Sequence, residues 1–377
     1  METKTNQRLE SLDALRGFDL FFLFCLGPIF HSLKDVINQP WYDSFLWFFS
    51  HEEWRGFSSW DLIMPLFMFM AGVSLPFSLT KYRDLPDKTA VHKRILRRVV
   101  LLWIFGMMCQ GNLLGLDPGR IFFYSNTLQS IAMGYLIAAI LFLHTRPRTQ
   151  VIVSVALLLI YWAAMQFITV GNYGGGNYTP DANLAEWIDR VVLGRFRDGS
   201  KVIDGEVVFG DSYRYTWLLS SLTFGVTVVS GLFAGEILRK DSFTKEKKAK
   251  LLLIIGAALV IIGWAWNFEL PVIKKIWTSS MTLVSSGYSF LLMGIFYWII
   301  DCRGHRHTTF LRVFGMNSIA TYMIGEIIHF DSVSQSVLHG TEQYLGAFYP
   351  SLIVVANAAF LFLILYFLHK YKIFLRV

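Results

Sequence analysis

Few residues in this chain pair a reactive side chain with a setting that would use it. His51 lies in Phe48-Phe49-Ser50-His51-Glu52-Glu53-Trp54-Arg55-Gly56-Phe57. An imidazole with an ordinary pKa of about 6.5 can take and return a proton near neutrality, or carry an acyl group on nitrogen. Glu52 and Glu53 beside it are placed to orient the ring and steady an imidazolium. On spacing alone the same pattern fits an interfacial histidine among aromatics. Other candidates are ionisable groups inside apolar runs, where a charge is costly to hold. They are Asp19, Asp61, Glu236, and Glu326 with His329. Asp61 and Glu236 lie near the ends of their runs, where water is close. Asp19 shares a helix face with Arg16, three residues before it, so an ion pair accounts for both. Glu326 is deeper, four residues after Tyr322 on the same helix face, and is the strongest intramembrane candidate.

The elements that must position these groups are membrane helices. Of 377 residues 54% are apolar and 16% charged, against about 25% charged in a soluble domain. Apolar runs long enough to cross a hydrocarbon core of about 30 Å recur near 17–35, 60–80, 96–114, 127–144, 150–170, 214–237, 251–267, 278–300, 310–330 and 350–369. The expected fold is an all-α polytopic bundle of about ten transmembrane helices, forming one domain over residues 1–377. Loop charge tests the count, because cytoplasmic loops are rich in Lys and Arg. With the N-terminus inside, the inner segments Lys81–Arg98, Thr145–Thr149, Arg239–Lys250, Asp301–Thr309 and the tail from Lys370, together with Lys4, Arg8, Arg16 and Arg312, hold 24 of the 34 basic residues. Both termini are then cytoplasmic. The net charge of +7 follows from topology and anionic lipid, which leaves no case for nucleic acid as a partner.

Cys25, Cys109 and Cys302 are isolated and odd in number, so neither a disulfide framework nor a metal site is expected. The first span reads as an uncleaved helix in a cell (inner) membrane. Two long segments, Lys34–Ser59 and Gly171–Tyr213, fall outside; the second opens on the turn-forming Gly171-Asn172-Tyr173-Gly174-Gly175-Gly176. Polar, aromatic-bearing outer loops suit a sugar, or simply cap the bundle.

The residues also resemble the bacterial relatives of heparan-α-glucosaminide N-acetyltransferase. Ser11-Leu12-Asp13-Ala14-Leu15-Arg16-Gly17-Phe18-Asp19 is similar to that family's start. His51, Trp54, Gly56, Phe57, Asp61, Leu62, Pro65, Phe67, Phe69 and Gly72 are similar to its most characteristic block. Further matches are Leu128-Gln129-Ser130-Ile131-Ala132, Gly231-Leu232-Phe233-Ala234-Gly235-Glu236, Pro271-Val272-Ile273-Lys274-Lys275-Ile276-Trp277-Thr278-Ser279-Ser280, and Gly315-Met316-Asn317-Ser318-Ile319 with Tyr322 and Glu326. Three places depart from the family pattern. Cys25-Leu26-Gly27-Pro28 stands where an Asn is usual, Ser130 where an Arg often follows Leu-Gln, and Asp211-Ser212-Tyr213-Arg214-Tyr215 in place of an Asp-Pro turn.

The resemblance implies a membrane enzyme that moves acetyl from cytosolic acetyl-CoA, as donor substrate, to an extracytoplasmic glucosamine-like amine or sugar hydroxyl. It implies that His51 is catalytic, as base or as acetyl carrier, with Asp61, Asn317 and Glu326 as further catalytic candidates. Asn317 or Trp54 would supply donors to a developing oxyanion. The anionic donor would meet the basic inner face at Lys93, Arg94, Arg97 and Arg98 or along Arg239–Lys250, and pass Gln129 and Asn126. Membrane lipid is a necessary partner, and a homodimer is left open. The competing expectation is a multi-pass transporter of a polar or anionic solute, for which ten spans with Asp19 and Glu326 would serve. Against it, the chain has no matched pair of broken helices in two halves.

Overall fold

In a computed structural model, the structure describes residues 9–110, 113, 121–210, 215–305 and 308–375. The chain is an all-α, multi-pass membrane protein. Among the described residues eight helical stretches are long and apolar enough to cross a membrane: Glu10–Ile37, Trp60–Arg83, Thr127–His144, Pro147–Phe167, Ser220–Arg239, Lys245–Trp266, Ser279–Cys302 and Asp331–Lys370. Each contains or closely matches an expected span.

The two remaining expected spans differ from that simple form. The expected span at 96–114 is a helix over Thr89–Cys109, whose first half carries His92, Lys93, Arg94, Arg97 and Arg98 and is therefore not apolar throughout. The expected span at 310–330 is broken into Thr309–Gly315 and Ser318–Ile327. Asn317 sits at the break, where its side-chain amide donates to Ile373 O at 3.0 Å and accepts from Leu375 N at 3.0 Å. A side chain that bonds backbone elsewhere in this way competes with a continuous helix.

By packing, the chain falls into two compact units, one drawn from Met1–Ser50, Asp241–Leu253 and Leu291–Arg376, the other from His51–Lys240 and Ile254–Phe290. In the first unit the helix Glu10–Phe21 runs into a π-helical turn, Phe22–Leu26, then Gly27–Ser32. Pro28, which has no N–H to donate, stands two residues after the end of the widened turn. That turn holds the buried Cys25. Arg16 pairs with Asp13 at 3.5 Å.

The second unit is organised by three helices: α1, Ile63–Val73; α2, Thr127–His144; and α3, Ser220–Arg239. A Cβ on Gly231 would lie 1.9 Å from Phe69 O, and one on Gly72 would lie 2.0 Å from Val228 O. The backbones of α1 and α3 thus touch, the close approach that small residues permit in lipid. Leaving α1 no freedom to shift fixes the 3-10 turn Trp60–Leu62 at its head, and with it Asp61.

The long connecting segment of this unit, between Pro147–Phe167 and α3, is also ordered in its described residues. It contains the short pairing Thr169–Val170 with Tyr173–Gly174, the helix α4, Leu184–Leu193, and a hairpin of Ser200–Ile203 with Glu206–Phe209. Asp189 accepts from Trp217 N at 2.7 Å and Leu218 N at 3.0 Å, while Glu186 pairs with Arg190 at 2.6 Å and with the buried Arg197. These charges pin α4 to the chain just before α3.

Candidate active site

The chain between residues 51 and 61 folds around one carboxylate. Asp61, 1% exposed, accepts from His51 Nδ1 at 2.7 Å through one oxygen. Its other oxygen accepts from Glu52 N at 3.2 Å and from Ser58 N and Ser58 Oγ, both at 3.1 Å. A carboxylate only accepts, so Nδ1 carries the hydrogen and the lone pair of the neutral ring lies on Nε2. The His51 side chain is 44% exposed, which leaves the Nε2 edge reachable while the Nδ1 edge is enclosed. The ring partner is therefore Asp61, ten residues on, rather than the adjacent Glu52 or Glu53. The Glu52 side chain instead lies against Gly56, whose missing Cβ would stand 3.0 Å from the Glu52 carboxyl carbon. Gly56 has φ +124, a conformation that side chains rarely adopt, and its N–H donates to Val272 O at 2.9 Å.

That bond ties the loop to a second irregular segment, which presents Lys274. Its Nζ lies 3.4 Å from Asp61 Oδ1 and 3.2 Å from His51 Nδ1, with the side chain 7% exposed. Buried irregular backbone must have its polar groups met, and here hydroxyls meet them. Tyr161 and Ser220 donate to Ile276 O, Thr278 to Pro271 O and Thr223 to Trp277 O. Trp277 holds φ +50, a strained conformation for a bulky residue, with its ring buried and its indole donating to Thr227 at 3.2 Å. Several hydroxyl bonds and one strained residue thus keep a lysine fixed beside Asp61.

Burial of the ring's inner edge is the largest influence on His51 and lowers its pKa below the ordinary value. The Asp61 hydrogen bond and charge oppose this, while the Lys274 and Lys275 charges add to it. The result favours a neutral ring at neutral pH, the form that can abstract a proton or attack a carbonyl.

The other expected site residues are placed as follows. Trp54 donates its indole N–H to Tyr178 O at 2.8 Å, so it anchors the outer segment and has no N–H left for an oxyanion. Gln129 and Asn126 form the capping box of α2: Gln129 Oε1 accepts from Ser125 N at 2.7 Å and Asn126 N at 3.0 Å, and Asn126 Oδ1 accepts from Leu128 N at 2.8 Å. Arg94 and Arg97 are exposed, and Arg98 lies over the Tyr135 ring at 4.4 Å. Asn317 and the half-buried Glu326 belong to the first compact unit. Glu236 pairs with Arg83 at 3.7 Å. The structure therefore brings His51 and Asp61 together and adds Lys274. Lys274 was visible only as part of a family-like stretch, because a lysine between two spans reads as solvated.

A family model described as "Heparan-alpha-glucosaminide N-acetyltransferase, catalytic" matches residues 8–183, a range that contains both His51 and Asp61. The resemblance is to these acetyltransferases. The human protein named heparan-alpha-glucosaminide N-acetyltransferase is 24% identical over 98% of this chain, and the mouse protein of that name is 24% identical over 88% of it. The chain spans 60% of the human and 57% of the mouse protein. The family resemblance read from His51, Asp61 and the later blocks is borne out.

Proposed function

We propose that this chain is a transmembrane acetyltransferase that takes acetyl from acetyl-CoA on the cytoplasmic side and delivers it to a glucosamine-like amine or sugar hydroxyl on the other. The observation that carries the reading is the 2.7 Å bond from His51 Nδ1 to buried Asp61, within the region matched to the acetyltransferase model. It supports a ring oriented for proton or acyl transfer at Nε2, as in other histidine–carboxylate pairs. A transporter has no comparable use for a half-exposed imidazole held in one tautomer.

In the direct route the acceptor nitrogen or oxygen attacks the thioester carbonyl. The C–S bond breaks, its electron pair leaves with sulfur, and Nε2 takes the acceptor's proton. In the stepwise route Nε2 itself attacks and coenzyme A thiolate leaves; the acceptor then attacks the acetyl carbon, the C–Nε2 bond breaks, and the freed Nε2 takes the acceptor's proton. Both need a neutral ring, Nδ1–H bound to Asp61 and an open Nε2. The exposed Arg94 and Arg97 on Thr89–Cys109 are the proposed contacts for the donor phosphates.

Purified protein with radiolabelled acetyl-CoA and glucosamine tests the reading. His51→Ala should lower transfer by about 100-fold or more, the scale of positioned acid–base catalysis, with unchanged expression and acetyl-CoA affinity. Near wild-type transfer by that variant would reject His51 as the centre.

A further inference from the structure

A cavity of about 370 Å³ lies in the same unit as the His51–Asp61 pair. Its walls include Trp103 of the helix Thr89–Cys109, Met133 of α2, Val192 and Leu193 of α4, Phe196, and Leu218. Trp103 and Met133 each stand six residues inside a helix end, at Cys109 and Thr127. At 1.5 Å per residue that is about 9 Å along the axis, which reaches hydrocarbon depth in a core of about 30 Å.

The polar groups in this wall are already satisfied. Tyr124 OH and Ser221 Oγ bond each other at 3.1 Å, and the Trp103 indole donates to Phe123 O at 3.0 Å. The lining thus offers apolar surface and little for a polar ligand. Two of the lining residues are themselves open to the surroundings: Val192 is 64% exposed and Phe196 41%. At this depth the abundant apolar species is a lipid chain.

One cation stands at the rim. The Arg195 guanidinium lies 4.5 Å over the ring of Phe196, a lining residue, and is exposed. Its neighbours Arg190 and Arg197 are both paired with Glu186, whereas Arg195 has no carboxylate partner among the described residues. A hydrocarbon slot with an unneutralised cation at its mouth complements a lipid phosphate. An aromatic row leads from the slot toward the catalytic pair. Tyr124 stacks on Trp217 at 5.2 Å and Trp217 on Tyr215 at 6.0 Å, and burial, with the Asp61 charge adding to it, raises the pKa of the Tyr215 hydroxyl.

We propose that the cavity holds the hydrocarbon chain of a phosphate-bearing lipid that carries the acceptor sugar, with its phosphate on Arg195 and the sugar directed to His51 Nε2. This rests on the acetyltransferase reading and names its acceptor class: a lipid-linked amino sugar. The chemistry is unchanged, since the sugar N–H or O–H still gives its proton to Nε2 as the new bond to the acetyl carbon replaces C–S.

The test uses the full chain in nanodiscs, labelled acetyl-CoA, and two acceptors: free glucosamine and glucosamine joined to farnesyl phosphate. The lipid-linked acceptor should have a KM at least about tenfold lower. Val192→Trp, which fills the mouth from an exposed position, and Arg195→Gln should each raise that KM about tenfold with kcat little changed. The KM for free glucosamine should stay within about twofold. Equal KM values for the two acceptors, or variants that impair both alike, would overturn the assignment. A thermal-shift arm compares farnesyl-phosphate-linked glucosamine with phosphatidylglycerol, and only the first should give a saturable rise. An equal rise from phosphatidylglycerol would identify an anionic-lipid site and overturn the acceptor class. A saturable rise abolished by both variants, without transfer to either acceptor, would sustain the lipid site and reject the acetyltransferase reading instead.

Discussion

Lys274 Nζ lies 3.4 Å from Asp61 Oδ1, the same oxygen that accepts from His51 at 2.7 Å. One carboxylate oxygen is shared between an ammonium and an imidazole. The ammonium is almost wholly buried, so its field is weakly screened at the ring. The carboxylate orients His51 and favours a charged ring, and the lysine offsets that preference. Orientation and basicity are thereby set by two different residues.

Removing the lysine charge while keeping the stem should separate those roles. Lys274→Met takes away an influence that lowers the His51 pKa, so the folded-state pKa rises. Because the neutral ring is the active form, the acid limb of the kcat/KM profile should move to higher pH, and activity should fall most below neutrality. A profile with an unmoved acid limb would show that Lys274 only supports the loop.

Asp61→Asn tests orientation. The amide can donate to Nδ1, which would place the ring hydrogen on Nε2 and remove the lone pair from the open edge. Loss of about 10³- to 10⁴-fold in kcat is expected, the scale seen when a histidine is held in the wrong tautomer. Asp61→Ala should lose activity too, and should also loosen the loop, since three backbone and hydroxyl donors from Glu52 and Ser58 would lose their acceptor.

The outer segment predicts a pH dependence of stability. Burial pushes the Asp189 carboxyl up to about 7 from its ordinary 3.8, with two backbone N–H groups and Arg197 opposing and Glu186 adding to the rise. Asp198, also buried there, is raised as well. A folded state that binds the proton more tightly than the unfolded state is most favoured at low pH. Its advantage is lost as pH rises between about 4 and 7. Melting in detergent should therefore occur at higher temperature at pH 6 than at pH 8, and Asp189→Asn should flatten that difference. An Asn variant with the wild-type slope would assign the dependence elsewhere.

Much of this was legible in the sequence because bilayer thickness and loop charge act on long runs of residues. The helix Thr127–His144 falls where hydropathy alone places it. His51 and Asp61 were both visible through their family block, but the bond between them was not. Asp61 looked like a wet residue at a span end, since a loop of ten residues has no periodicity to show which side chains converge. Sequence adjacency favoured Glu52, yet it is the Glu52 backbone that joins the site. Asn126 and Gln129 form the capping box that starts Thr127–His144, a local role that the reading of a donor path did not include. The break at Asn317 depends on backbone 56 residues away in sequence, which no local window contains.

The last prediction concerns Thr89–Cys109, whose basic first half makes it the least apolar of the proposed spans. Two hydrogen bonds decide whether it crosses. Trp54 bonds Tyr178 O at 2.8 Å, and Gly56 N bonds Val272 O at 2.9 Å. All four lie in connecting segments, and a direct bond requires its two segments to be on the same side of the membrane. An even number of crossings must therefore separate Trp54 from Tyr178, and likewise Gly56 from Val272. Among the described residues, Trp60–Arg83, Thr127–His144 and Pro147–Phe167 lie between Trp54 and Tyr178, an odd number, so Thr89–Cys109 is expected to supply one further crossing. The same helix makes the count even between Gly56 and Val272, where Ser220–Arg239 and Lys245–Trp266 are added. Its exposed Arg94 and Arg97 then stand at the membrane surface, in the turns nearest the basic connecting segment, where a charged side chain costs little. On a background lacking Cys25, Cys109 and Cys302, a cysteine at position 85 should be labelled by an impermeant maleimide only from the cytoplasmic side, and one at position 180 only from the opposite side. Labelling of both from the same side would mean that Thr89–Cys109 does not cross. The His51 loop and the Lys274 segment would then be on opposite sides, and the shared carboxylate could not form.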